Sequence, residues 1–161
     1  MLRTESPLLS FHPSSTQLGY DSHYGLKNVL EYDPSSGNVI EVWDETAGTT
    51  TYVWGYNDSR IIAEIRNATA SQVQNALTYT LDALNGKTDS EELIDIFSDL
   101  RTDLPQAMVT SYTYDLFLKL LSVTDPSGRT RRYEYDASQR LRLTRDTDNS
   151  ILQRFEYHYK Q

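Results

Sequence analysis

The tripeptide Tyr-Xaa-Tyr followed by Asp returns on a fixed beat near the C-terminal end of this 161-residue chain. Tyr112-Thr113-Tyr114-Asp115 comes back as Tyr133-Glu134-Tyr135-Asp136, and again as Phe155-Glu156-Tyr157-His158. The second aromatic advances by 21 residues (114 to 135) and then by 22 (135 to 157). A period of this size marks units that cannot bury their faces alone and stack on their neighbours. Within a unit, strand alternation puts Tyr133 and Tyr135 on one face and Arg132 and Glu134 on the other. Asp at the strand end can accept backbone N–H bonds and open a turn. Leu141 and Leu143 on the return strand are the expected apolar partners of the tyrosine rings.

The same step reaches back toward the N-terminus. From Tyr32 to Trp54 is again 22 residues, whereas Trp54 to Tyr114 is 60, and one step of 22 leaves 38 unaccounted for. The segment 69–105 breaks the strand rhythm over a comparable length. Val73, Leu77, Leu81 and Leu84 fall on a helical stripe, with Thr69-Xaa-Xaa-Gln72 and Ser71-Xaa-Xaa-Gln74 as capping boxes and Gly86 as a stop. Leu93, Ile96, Phe97 and Leu100 form a second stripe, capped by Asp89, with Arg101 in its last turn and Pro105 beyond it. The expectation is an α+β fold, mostly an antiparallel β-hairpin meander with an inserted helical hairpin. Its divisions are an extended arm over 1–25, divergent β repeats over 26–68, the helical insertion over 69–105 and the regular meander over 106–161. The strands outside the insertion are read as a start near Leu26, Asn38–Trp43, Thr49–Trp54, Arg60–Arg66, Tyr112–Tyr114, Leu118–Thr124, Thr130–Tyr135, Arg140–Arg145 and Ile151–Tyr159, with a further short strand at Leu8–Phe11.

Composition narrows the function classes. Twelve tyrosines suit pleated, half-buried surfaces, where the ring packs and the hydroxyl finds a partner. A net charge of −8 argues against general nucleic-acid binding, which needs a basic field. No apolar run is long enough to span a bilayer, and the first residues lack a signal-peptide core. There is no cysteine for a disulfide or a thiolate site. His12, His23 and His158 show no metal-ligand spacing, and Asp146-Thr147-Asp148-Asn149 lacks the Gly and Glu of a calcium loop, so it reads as a turn. No nucleophile elbow or phosphate loop occurs. Neither a catalytic residue, a cofactor nor a metal is expected.

The repeat resembles the bacterial RHS, or YD-repeat, family, whose pattern is a Gly, a short spacer, Tyr-Xaa-Tyr-Asp, two residues and Gly-Arg-Leu. The best copy runs from Gly128 through Tyr133, Tyr135 and Asp136 to Arg140-Leu141, with Gln139 where the family has Gly. The copy before it keeps Tyr112, Tyr114 and Asp115 but has Leu118-Lys119-Leu120 in place of Gly-Arg-Leu. Tyr157 closes the series, followed by His158 in place of Asp. The mixture with a helical insert is similar to a C-terminal fragment of Bacteroides-type RHS proteins. The resemblance implies a cell-surface or secreted protein in which long repeat sheets wind into a hollow shell, enclosing a toxic domain in several relatives. It also implies neighbouring repeats, or a second copy, as partners along the sheet edges.

One local charge anomaly remains. Arg129, Arg131, Arg132, Arg140, Arg142 and Arg145 stand against only Glu134 and Asp136 over residues 129–145, inside an acidic chain. They are read as a solvated face that discourages edge pairing, as a cradle for an anionic glycan, or as a contact to the acidic helical insert. Two functions follow: a non-catalytic structural segment, and a carbohydrate-binding module using the Tyr and Trp sheet faces with the Arg-rich strand pair.

Overall fold

A computed structural model describes residues 28–157, so the arm, the Leu8–Phe11 strand and all three histidines lie outside the described residues. Among these residues nine strands pair strictly in chain order, every neighbour antiparallel. They are β1 (Asn28–Tyr32), β2 (Val39–Asp44), β3 (Gly48–Gly55), β4 (Arg60–Arg66), β5 (Met108–Tyr114), β6 (Leu120–Thr124), β7 (Thr130–Tyr135), β8 (Leu141–Arg145) and β9 (Ile151–Arg154). Between β4 and β5 lie α1 (Ala70–Ala76), α2 (Leu81–Asn85) and α3 (Ser90–Asp103).

The turns explain why the meander is so regular. At Asp115, Asp125, Asp136 and Asp146 the aspartate carbonyl accepts from the N–H three residues on, and its own N–H donates to the carbonyl four residues on. The third residue of each loop is left-handed: Leu118 (φ 61), Gly128 (φ 81), Gln139 (φ 66) and Asn149 (φ 64). This is a three-residue hairpin loop, a type I turn followed by a left-handed residue. In each, the Asp carboxylate also accepts a backbone N–H from the loop or from the residue that follows it. The Asp33 turn carries one more residue, and there Gly37 rather than its predecessor donates to the Asp33 carbonyl. The 21–22-residue beat is therefore two strands and two turns, with the turn chemistry itself repeating on every strand from β5 to β9.

The starts of β6 and β8 are later than alternation suggests, and β9 stops at Arg154, short of its expected end. Leu118 and Arg140 lie in loops, and β6 and β8 begin at Leu120 and Leu141. The larger correction concerns the helices, which number three rather than a hairpin of two. The Val73–Leu84 stripe is broken because Leu77 turns extended (ψ 135) after α1, and Thr80 caps α2 by accepting from the Ala83 N–H. β-Branched Thr78 and Thr80 favour this break over a continuous helix. Of the two capping boxes, Thr69 with Gln72 is formed at α1. Asp89 accepts from the N–H groups of Glu91 and Glu92 at α3.

The core sits where the helices cover one face of β3–β5. Val73, Leu84, Leu93, Phe97 and Leu100 pack there against Val53, Ile62, Ala63, Ile65 and Val109. Gly55 permits this closeness, since a Cβ on it would stand 2.7 Å from the Ile62 Cγ2. Toward β6 and β7 the same face changes chemistry. Thr113 pairs its hydroxyl with Ser122 at 2.7 Å, and Thr124 with Thr130 at 2.9 Å, all four buried and each a direct cross-strand partner. Arg101 bridges the two zones: its guanidinium donates to the Phe97 carbonyl, the Ser111 hydroxyl and the Thr124 carbonyl. Burial lowers its pKa, the price of placing a cation between helix and sheet.

Candidate functional site

The residues that repeat in sequence repeat a specific bond in space. A bulge lies in each pairing at the second aromatic of the unit, between Glu31/Tyr32, Val53/Trp54, Thr113/Tyr114 and Glu134/Tyr135. These aromatics stand opposite Val39, Ile61, Leu120 and Leu141 respectively. The carbonyls of those same four residues accept from the aromatic of the next unit. Trp54 Nε1 donates to Val39 at 2.8 Å, Tyr114 Oη to Ile61 at 3.1 Å, and Tyr135 Oη and Tyr157 Oη to Leu120 and Leu141 at 2.9 Å each. Each unit is thereby clamped to the one before it by an indole or phenol hydrogen bond. The donor-to-acceptor separations are 15, 53, 15 and 16 residues. The excess of 53 over 15 is 38 residues, the stretch that carries α1–α3.

The clamp at β5 is reinforced. Tyr56, in a left-handed run with Asn57 and Asp58 (φ 52, 55 and 60), turns its hydroxyl onto the Tyr114 backbone. It donates to the Tyr114 carbonyl at 2.9 Å and accepts from the Tyr114 N–H at 2.8 Å, and the two rings meet edge to face at 5.4 Å. Three consecutive left-handed residues are unfavourable by roughly 1–2 kcal/mol each. Asn85 of α2 offsets this by accepting from the Asn57 and Asp58 N–H groups. Desolvation raises the pKa of Tyr56, Tyr114 and Tyr135, and also of Tyr112. Sequence reading missed Tyr56 as a clamp. Its one signal was a tyrosine two residues after Trp54, the spacing of the motif itself.

The bulge also redirects a leucine. Because β8 has one residue more than β7 across the bulge, Leu143 stands opposite Glu134 and Thr144 opposite Tyr133. Leu141 keeps its expected place by Tyr135, whereas buried Leu143 lies on the Arg132–Glu134 side and not under the tyrosines.

The six arginines do not converge on one site. Arg132 reaches both Glu91 carboxylate oxygens on α3, the contact to the acidic insert, at 3.1 and 3.2 Å. Arg142 and Arg145 share Glu134, Arg140 pairs with Asp136 and lies over the Tyr157 ring at 4.3 Å, and Arg129 pairs with Asp125. Among the described residues Arg131 makes no ion pair. These pairs hold three carboxyls below the usual range. The Arg145 guanidinium does so at Glu134, the Ser127 hydroxyl first and Arg129 after it at Asp125, and the Arg140 backbone and side chain at Asp136.

Arg129, Arg131 and Tyr133 do line one cleft of about 620 Å³, with Val123, Leu152 and the Asp146–Asp148 turn as its other walls. Thr147 fixes that turn by accepting from the Thr130 N–H at 2.8 Å and donating to the Thr130 carbonyl at 3.3 Å. Among the described residues no group of three or more His, Cys, Asp and Glu is placed to hold a metal ion. Nor is any described helix long and apolar enough to cross a membrane.

Residues 114–151, which hold the units of Tyr114 and Tyr135, match the family described as RHS Repeat. Among solved structures, chains from the crystal structures of TcdB2-TccC3-TEV and TcdB2-TccC3 are similar over 75% of this chain, at 19% identity and a TM-score of 0.47. The chain spans only 5% and 6% of the length of those chains. No curated protein matches it.

Proposed function

We propose that this chain is a non-catalytic wall segment of a larger YD-repeat protein, in which the aromatic clamp joins successive repeats into one continuous sheet. The observation that carries this reading is the clamp's recurrence at Trp54, Tyr114, Tyr135 and Tyr157, each on the preceding unit's bulge. Its support beyond that is the RHS Repeat match over 114–151 and the state of the two outer strands. Every residue of β1 and of β9 is exposed, so among the described residues both ends of the meander present strand edges that further repeats can extend. On this reading the parent protein is secreted or displayed at the cell surface, and its sheet encloses or delivers a toxic domain. The helices cover the inner core strands as the insert of a Bacteroides-type member.

Sedimentation across a concentration series tests the edges. Association that grows with concentration is expected, and the pair Leu30→Pro and Leu152→Pro should leave a monomer of unchanged melting temperature, because Pro removes an edge donor. A protein that stays monomeric throughout, or a turnover activity abolished by one polar substitution, sinks the reading.

The cleft beside Tyr133 favours a second reading, a carbohydrate-binding module. An aromatic ring, Arg131, which makes no ion pair among the described residues, and the Asp146–Asp148 turn offer stacking and hydrogen bonding together. A glycan array at physiological salt decides it: silence there rejects the module, and a hit must be lost in Tyr133→Ala.

A further inference from the structure

The helical segment carries charge that the rest of the chain answers, among the described residues, only by Arg132 at Glu91. Residues 69–105 hold seven Asp and Glu against Lys87 and Arg101, a net of −5 within a chain of −8. Both cations are engaged. Arg101 is turned into the sheet, and Lys87 pairs with Glu92 while lying over the Tyr79 ring at 4.3 Å.

Glu92, Asp95 and Asp99 fall at i, i+3 and i+7 of α3, along one rim of a groove of about 250 Å³ between α3 and the end of α1. Its apolar lining includes Leu77, Ile96 and Leu100. Asp95 and Asp99 are exposed and make no ion pair among the described residues. Like charges one helical turn apart repel. Among the described residues this repulsion along the edge of an apolar groove is unanswered, and a cation docked there relieves it.

We propose that this groove docks a basic peptide segment of another protein, with one apolar side chain seated over Leu77 and Ile96 and Lys or Arg residues against Asp95 and Asp99. The groove lies below the roughly 300–1,000 Å³ of small-molecule sites, which suits a single side-chain anchor. The rim's charge repels anionic ligands and anionic lipid surfaces. A second copy of this chain is a poor occupant, since five of its six clustered arginines are already paired. The proposal stands or falls independently of the wall reading, because it concerns the outer side of the helices and not the sheet edges.

Fluorescence anisotropy with two labelled peptides of equal charge tests it, one alternating Lys with Leu and one alternating Lys with Gly. At near-physiological salt the Leu peptide should bind at least about tenfold more tightly than the Gly peptide, as an apolar anchor requires. The pair Asp95→Asn and Asp99→Asn should weaken the Leu peptide by about tenfold or more, whereas Asp82→Asn with Asp103→Asn, outside the groove, should leave it unchanged. The first pair should also melt no lower than wild type, which separates lost docking from lost folding. No binding, equal binding of the two peptides, or equal loss in the two variant pairs overturns the groove in favour of a diffuse acidic field.

Discussion

Strands β3–β5 and strands β6–β9 carry the same repeat, yet different forces hold them. The first set lies under α1–α3 and shares an apolar core with Phe97, Leu93 and Ile65 at its centre. The second set contributes a single buried hydrophobic side chain, Leu143, and relies on paired hydroxyls, the Tyr135 and Tyr157 clamps and the Asp turns. Repeats of this kind need a neighbour's face for burial. Where the helices supply that face, the turns can be irregular, as at Tyr56–Asp58. Along β5–β9 the turns are near-copies of one another.

The comparison can be broken most forcefully in the core. Phe97→Ala should lower the unfolding free energy by about 3–5 kcal/mol in denaturant titrations, by the lost transfer energy and the cavity left behind. Leu143→Ala removes the one buried apolar side chain of the other half and should cost less, at the low end of about 2–5 kcal/mol. Equal losses would mean that the two halves are held alike.

Next in size is Tyr56→Phe, which leaves the Tyr114 N–H and carbonyl without their phenol partner. A loss of about 1–3 kcal/mol is expected from the stranded backbone groups. The tyrosines also set an alkaline limit. Their folded pKa is raised above the ordinary value near 10. Stability is therefore intact below pH of about 10 and falls as pH rises through the higher folded values. Absorbance at tyrosinate wavelengths should show a late-titrating class, which Tyr56→Phe reduces.

A smaller effect separates two left-handed loop residues. Gln139→Gly should raise stability by about 1 kcal/mol by relieving a backbone conformation that side chains disfavour. Leu118→Gly should give no such gain, because Leu118 packs against the helix-covered core and glycine loses that contact. Matching gains at both sites, read by thermal unfolding, would erase the distinction.

The smallest effect is acidic. Asp125, Glu134 and Asp136 are held below the usual carboxylate range by their hydrogen bonds and arginines. Their contribution is present above the ordinary carboxylate pKa near 4 and is lost as pH falls through the lower folded values. The groups are partly exposed, so solvent screens much of it. Asp125→Asn should flatten the acid limb of a stability–pH curve slightly while keeping the loop's acceptor.

What could be read from the chain was local. The Asp-led turns were legible because an aspartate oxygen and a left-handed third residue act within five positions. The caps at Thr69 and Asp89 were legible for the same reason, and Thr80 could have been, since a Thr one residue before a helical run is itself a capping signal. Arg132 finding Glu91 was one of three open readings, and nothing nearby in sequence favoured it over the others.

The sequence alone determined the beat, the strand and turn chemistry, and where the strand rhythm stops for about one helical segment, because these depend on neighbours a few residues apart. Only the tertiary structure decided which backbone carbonyl each tyrosine binds, which face Leu143 takes after a bulge, and where each arginine goes. A one-residue bulge changes the phase of a strand, and partners 15 or 53 residues away are chosen by packing that no local pattern encodes.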